Sequence, residues 1–319
     1  MIRIAILDDY QNVALEMADW SPLSGRAEIT VFNDHLPDSD EVVKRLLPFD
    51  VVVVMRERTP LTRLVIERLP KLKLIASTGP RNASIDLEAA EERGIQVVHT
   101  GYNPHSTIEM AWALILASSR QVARENANLR AGGGWQLTVG DSLHGKTLGV
   151  LGLGNIGSAV ARIGIAFGMK VISWSQNLTA EKAEACGARF VSKEELFLSA
   201  DILTIHLVLS PRTKGLVGAP DLQVMKPSAR IINTSRGPIV NEAALIDVLR
   251  ERRIAGAGLD VFDIEPLPPD HPFRTLDNVL ATPHLGYVGR DLYKTFYGDT
   301  AENIRHWLSQ QASSSRMSG

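Results

Sequence analysis

"TLGVLGLGNIGSAVARIGIAFG", Thr147 to Gly168, decides the fold. Its apolar start runs into Gly152 as a buried strand would, and Gly152, Gly154 and Gly157 follow in G-x-G-x-x-G spacing. Ile156, Val160, Ile163 and Phe167 then recur on one helical face, and Gly168 supplies the stop. Such glycines permit a tight turn, close approach of backbone to a phosphate, and packing of helix on strand, while N–H groups at the helix start bind the anion. The spacing alone is common in loops. A strand before it and a helix after it make this a dinucleotide turn, with Asn155 and Ile156 beside the three glycines as coenzyme-binding positions.

Outward from that stretch, short apolar runs alternate with helix-like segments. "IRIAIL", "AEITVF", "DVVVV", "KLIAS" and "IQVVH" read as buried parallel strands of a first series. "KTLGVLGLG", "KVISW", "DILTIHL", "ARIINTS", "AGAGLDVF" and "NVLATPH" read as those of a second. Acids and hydroxyls open the intervening helices: Asp38, Asp86, a Ser192-x-x-Glu195 box, and Asn241. Between the series, "STIEMAWALILASSRQVARENANLR" has no Gly or Pro and predicts one helix of about 25 residues opened by a Ser106–Glu109 capping box. Its apolar residues from Met110 to Ala117 run all round, which predicts a turn buried between domains or in a subunit interface. A last amphipathic helix is expected over roughly 291–308, packing back on the first series, with a frayed tail from Gln310. The fold class is therefore α/β, with two doubly wound parallel-sheet domains of which the first is discontinuous.

The bulk composition excludes several partners. With 34 basic and 36 acidic residues in 319, no general attraction to nucleic acid or an anionic membrane is expected. No apolar run approaches the ~20 residues of a membrane span, and "MIRIAILDDY" is too short an apolar run for a signal peptide, so a cytoplasmic location is expected. One cysteine, Cys186, cannot form an internal disulfide or a cysteine metal cluster, and no metal is expected.

Three stretches place polar residues at the ends of second-series strands: "INTSRGPIV" with Arg236, "LDVFDIEPLP" with Glu265 and "TPHLG" with His284. In open α/β sheets ligands collect at the carboxyl ends of strands, so the three can converge. With "LHGKTLGVLGLGNIG", "MKPSARIINTSRGPIVNEAAL", "AGAGLDVFDIEPLP" and "NVLATPHLG" in this order, the chain resembles the D-isomer-specific 2-hydroxyacid dehydrogenase family over nearly its whole length. The resemblance implies a substrate domain from 1–102 and 287–319, a coenzyme domain over 103–286, a cleft between them, and a homodimer built on the coenzyme domains. It implies Arg236 as substrate anchor, His284 as acid/base and Glu265 as its partner. It also implies Asp260 near the nicotinamide amide, His206 and Thr213 along the coenzyme, and Thr107, Thr234 and Gly286 as further coenzyme contacts. The chemistry suits those residue types. A 2-oxo acid offers a carboxylate and a carbonyl oxygen to the guanidinium fork, and an imidazolium can deliver a proton as hydride reaches C2.

Two departures stand out. Where the family's substrate loop has Gly-x-Gly, "STGPRNASID" has Gly79, Pro80 and Arg81; proline has no N–H, so a donor is missing, and Arg81 either replaces it, meets a second anionic group of a larger substrate, or points to solvent or pairs with a nearby acid. Arg56 in "VVVVMRERT" matches a family position beside the active site. After "KVISW", where an acid commonly holds the ribose hydroxyls of NAD, stand Ser175, Gln176 and Asn177. No acid repels a 2′-phosphate there, and "SQNLTAEK" has no arginine before Lys182, so the reading is use of NAD or NADP with a mild bias to NADP. Alternatives are a formate- or phosphite-type dehydrogenase, against which Glu265 argues, and a coenzyme-sensing binding protein without turnover.

Overall fold

The computed structural model describes residues 1–317, with side chains through Gln311. The chain divides into two compact units, Met1–Asn103 with Gly289–Gly319, and Pro104–Val288.

In chain order the first unit contains β1 (Ile2–Ile6), β2 (Ala27–Val31), α1 (Ser39–Leu46), β3 (Val51–Val54), α2 (Arg63–Ile66), β4 (Leu74–Ser77), α3 (Leu87–Glu92) and β5 (Gln96–His99). All five strands are parallel in the order β2-β1-β3-β4-β5. The helices start where their acids stand. Asp38 accepts from the N–H groups of Asp40 and Glu41, and Asp86 from that of Ala89, so donors that a helix start leaves unpaired are met. Val51–Val54 and Leu74–Ser77 are buried throughout, because β3 and β4 lie inside the sheet. The edge strands β2 and β5 are only partly covered, which corrects the expectation that every apolar run is buried.

The second unit begins with α4 (His105–Ser119) and α5 (Val122–Arg130), then β6 (Thr147–Leu151), α6 (Asn155–Ala166), β7 (Lys170–Trp174), α7 (Ala180–Glu184), β8 (Arg189–Phe190), α8 (Lys193–Ser199) and β9 (Ile202–Ile205). It ends with α9 (Ala219–Gln223), β10 (Arg230–Asn233), α10 (Glu242–Arg250), β11 (Gly256–Leu259) and β12 (Val279–Ala281). Its seven parallel strands run β12-β11-β10-β9-β6-β7-β8. The chain leaves β6 toward β7 and β8, then returns to β9 on the other side of β6. The loop after β6 therefore sits where the strand order reverses, the place at which such sheets bind ligands.

Several local expectations are corrected here. The helix expected from Ser106 starts at His105 behind Pro104, and no side chain caps it; Ser106 lies inside the first turn, so the Ser106–Glu109 box does not form. The long helix is two, broken at Arg120–Gln121, where Gln121 takes a φ of 55°. Ala113 and Leu116 are exposed, so α4 is not covered all round within its own unit. Its buried side, with Trp112, Leu114 and Ile115, lies on the sheet, and Gly258 lets it approach β11: a Cβ there would stand 3.2 Å from that of Leu114. On α6 the buried face is Gly157, Val160, Ala161 and Gly164, while Phe167 is exposed and stacks on Trp112. The two-residue β8 was not expected.

The closing helix, α11 (Arg290–Met317), belongs to the first unit, where Phe296, Tyr297 and Ile304 are fully buried. It runs on into the segment expected to fray; Ser318 and Gly319 lie outside the described residues. No helix among the described residues is long and apolar enough to cross a membrane.

Candidate active site

The turn after β6 is built as an anion cradle. Gly152 has a φ of 99°, and a Cβ on it would lie 2.7 Å from the His206 carbonyl oxygen, so only glycine fits between β6 and the end of β9. A Cβ on Gly157 would stand 2.0 Å from the Gly152 carbonyl oxygen, so α6 closes on the turn through bare backbone. Gly154 is different: a Cβ there would meet nothing within 4 Å. It is the N-cap of α6, and no side chain bonds the N–H groups of the first turn. Open space over uncapped donors at a positive helix end is what a pyrophosphate requires.

Other expected coenzyme positions vary in what they have left to offer. The Thr234 hydroxyl, at the end of β10, is buried with no hydrogen-bond partner among the described residues, an orphan that a bound group would satisfy. Thr107 donates to the Gly286 carbonyl (2.9 Å), and Thr213 donates to that of Val208 (2.7 Å), so both hydroxyls help shape loops. His206 shares a 2.8 Å hydrogen bond with Thr204, and burial of its ring lowers its pKa to about 4. It is a neutral wall of the site.

Asp260, fully buried at the end of β11, organises the loop that carries His284. Its Oδ1 accepts from the Thr282 hydroxyl (2.6 Å) and the Leu285 N–H (2.7 Å), and its Oδ2 from the Gly286 N–H (2.7 Å). An ionised carboxylate has about four acceptor positions, so roughly one remains for a ligand amide. Burial raises its pKa, against those three donors and the nearby His284.

Arg236, Glu265 and His284 follow β10, β11 and β12, three neighbouring parallel strands whose carboxyl ends share one edge. Gly237 brings the first loop against the second, since a Cβ there would fall 2.1 Å from the Phe262 carbonyl carbon. His284 Nδ1 lies 2.5 Å from Glu265 Oε2, and the Phe262 N–H donates to Oε1 of that glutamate (3.0 Å). The histidine is only 17% and the glutamate 21% exposed, so the pair is screened from bulk water. Tyr287 packs edge-on to the imidazole at 5.4 Å. The Arg236 guanidinium is steered by a 2.7 Å hydrogen bond to the Ser235 carbonyl, and Asn233 holds the Arg236 carbonyl.

In the first unit, Arg56, Gly79 and Arg81 form one cluster. The Arg56 guanidinium donates to the Thr78 carbonyl (3.0 Å) and, more weakly, to that of Arg81 (3.4 Å). It occupies the space beside Gly79, where a Cβ would lie 1.7 Å from Arg56 Nη1. The Gly79 N–H is spent on Thr100 Oγ1 (2.7 Å), so residues 79 and 80 leave no backbone donor for a substrate. Asn82 ties the loop down, donating to the Arg56 carbonyl and to Ser77 Oγ. Its role carried no sequence signal. Arg81 is exposed.

At the end of β7, Ser175 is half-buried and Gln176 and Asn177 are exposed. Thr179, another polar residue of this stretch, caps α7 through the Lys182 N–H. Among the described residues no group of three or more His, Cys, Asp or Glu is placed to hold a metal ion.

Comparison with known proteins agrees with this geometry. Residues 112–286 match the model of the D-isomer specific 2-hydroxyacid dehydrogenase, NAD binding domain. The chain is 41% identical over 249 residues to a glyoxylate reductase of Aeropyrum pernix, covering 75% of this chain and 74% of that one. It is 37% identical over 290 residues to a hydroxypyruvate reductase of Thermotoga maritima, covering 89% and 91%. A crystal structure of a phosphoglycerate oxidoreductase from Vibrio cholerae superposes with a TM-score of 0.93 at 39% identity, covering 97% of this chain and all of that one. With the glycine turn, the Arg–Glu–His order and these matches in agreement, the chain belongs to the D-isomer specific 2-hydroxyacid dehydrogenase family of NAD-binding oxidoreductases.

Proposed function

We propose that the chain interconverts a short 2-oxo acid and its D-2-hydroxy acid with NADPH or NADH. The observation that carries this reading is the 2.5 Å contact between His284 Nδ1 and Glu265, which leaves proton exchange with substrate to Nε2. The nicotinamide coenzyme, held by the glycine turn, supplies or accepts the hydride when bound. Arg236 binds the carboxylate and polarises the carbonyl through its planar fork. His284 delivers its proton to the oxygen on which charge grows, and Glu265 fixes the ring and balances the imidazolium. Within the first unit, Arg56 and Arg81 are the groups able to meet an acid, since residues 79 and 80 have no N–H to offer.

Glyoxylate and hydroxypyruvate, the substrates in the names of two relatives, are the acids to try first. Initial rates of NADPH and NADH oxidation with each test the reading. Steady turnover supports it; coenzyme binding with no turnover on any short 2-oxo acid replaces it with a coenzyme sensor.

The same reading includes a homodimer through the second unit. Leu116, Val122, Leu129, Trp135 and Val139 are exposed apolar residues there, with Trp135 at 81% and Val139 at 99%. Apolar side chains so concentrated in one segment favour a cover, and a second copy of the chain supplies it.

A further inference from the structure

The end of β7 lacks the acid that would hold a ribose hydroxyl, and Ser175 to Thr179 contain no cation either. The structure brings one from elsewhere. Gln176 Nε2 donates to the Arg212 carbonyl at 3.3 Å, across a separation of 36 residues, joining the loop after β7 to the loop between β9 and α9. That second loop is a closed turn: the Ser210 N–H donates to Thr213 Oγ1 (2.8 Å), and the Thr213 and Lys214 N–H groups donate to the Ser210 carbonyl (3.0 and 2.9 Å). The backbone at Arg212 is thus held from both sides. Its side chain is exposed, and among the described residues no carboxylate lies within ion-pair distance of it, unlike Arg189 on Glu195 or Arg252 on Asp277. Glu181, the nearest acid along the β7 segment, is engaged by Thr179 and its own backbone.

We infer that Arg212 is the receptor for the 2′-phosphate of NADP(H), with Gln176 as the residue that positions its loop, and that the chain prefers NADPH to NADH. The inference rests on the coenzyme reading above. A 2′-phosphate set among Ser175, Gln176 and Asn177 finds hydroxyl and amide donors and no repelling carboxylate. Arg212 adds the charge-assisted fork that distinguishes a phosphate from a hydroxyl. The arginine that coenzyme preference calls for is missing from the local sequence because it arrives from a different loop.

The test is fluorescence titration of the full chain with NADPH and NADH, reading the ratio of the two dissociation constants. The expected result is NADPH at least tenfold tighter in the unaltered chain. Arg212→Ala should lower that ratio at least tenfold, Arg212→Lys should give an intermediate ratio, and Gln176→Ala should lower it less than Arg212→Ala. Measurable NADH binding by Arg212→Ala shows that the variant is folded. An unaltered chain that binds both nucleotides equally, or an Arg212→Ala ratio equal to that of the unaltered chain, overturns the inference while the coenzyme reading stands. Failure of the unaltered chain to bind either nucleotide overturns both.

Discussion

His284 holds a φ of 53°, in the left-handed region that histidine and asparagine enter more readily than most residues. His284→Asn therefore keeps the backbone conformation and removes only the imidazole. Turnover should fall by about 10²–10⁴ with NADPH and NADH binding unchanged, as measured by steady-state rates beside fluorescence titration. A variant retaining a tenth of the rate would show that another group delivers the proton. His206 makes a different kind of prediction. Its pKa is near 4 in the folded chain and about 6.5 unfolded, so below pH 6.5 the unfolded chain takes up the proton that the folded chain refuses. The stability this neutral ring contributes is complete above pH 6.5 and is lost as pH falls toward 4, by about 3 kcal/mol. His206→Gln should flatten that part of the urea-unfolding profile between pH 4 and 6.5. At this scale the placement of Arg236, Glu265 and His284 after three neighbouring strands was readable, because each follows an apolar strand-like run. The partners were not: that Gly79 spends its N–H on Thr100, or that Arg212 meets Gln176, depends on loops whose spacing carries no period.

Among the elements, α6 and the turn before it separate two uses of glycine. Gly157→Ala puts a methyl group 2.0 Å from a backbone oxygen, so helix and turn must part; a loss of about 1–3 kcal/mol in stability and of coenzyme binding is expected. Gly154→Ala meets no protein atom within 4 Å, so it should melt normally in calorimetry yet bind coenzyme at least tenfold more weakly, because the methyl group occupies the phosphate's approach. Equal melting losses in the two variants would reject this division. Legibility at this scale followed physical cause. Interior strands such as Val51–Val54 are apolar on both faces and announce themselves, and Asp38, Asp86, Ser192 and Asn241 mark helix starts by the bonds they make. The Ser106–Glu109 pattern misled because the helix already starts at His105, which puts Ser106 inside the first turn where it cannot cap. The break at Gln121 left no Gly or Pro to signal it, and β8 is too short to show alternation.

For the whole molecule, the apolar exposure from Leu116 to Val139 predicts a stable dimer: light scattering should return twice the mass of the chain at micromolar concentration. Trp135→Ser with Val139→Ser should shift the population toward monomer, and a monomeric parent chain would reject the dimer. The order of the two units along the chain also bears on synthesis. The first unit's sheet is made before residues 104–288, but α11, whose Phe296, Tyr297 and Ile304 are sealed in that unit's core, comes only after them. At the usual ~5–20 residues per second, the ribosome takes roughly ten to forty seconds over that insert. Throughout this interval the second unit can mature on its own while the first waits with its apolar face unsealed. The nascent chain is thus most exposed to aggregation, and to chaperone capture, over residues 1–103.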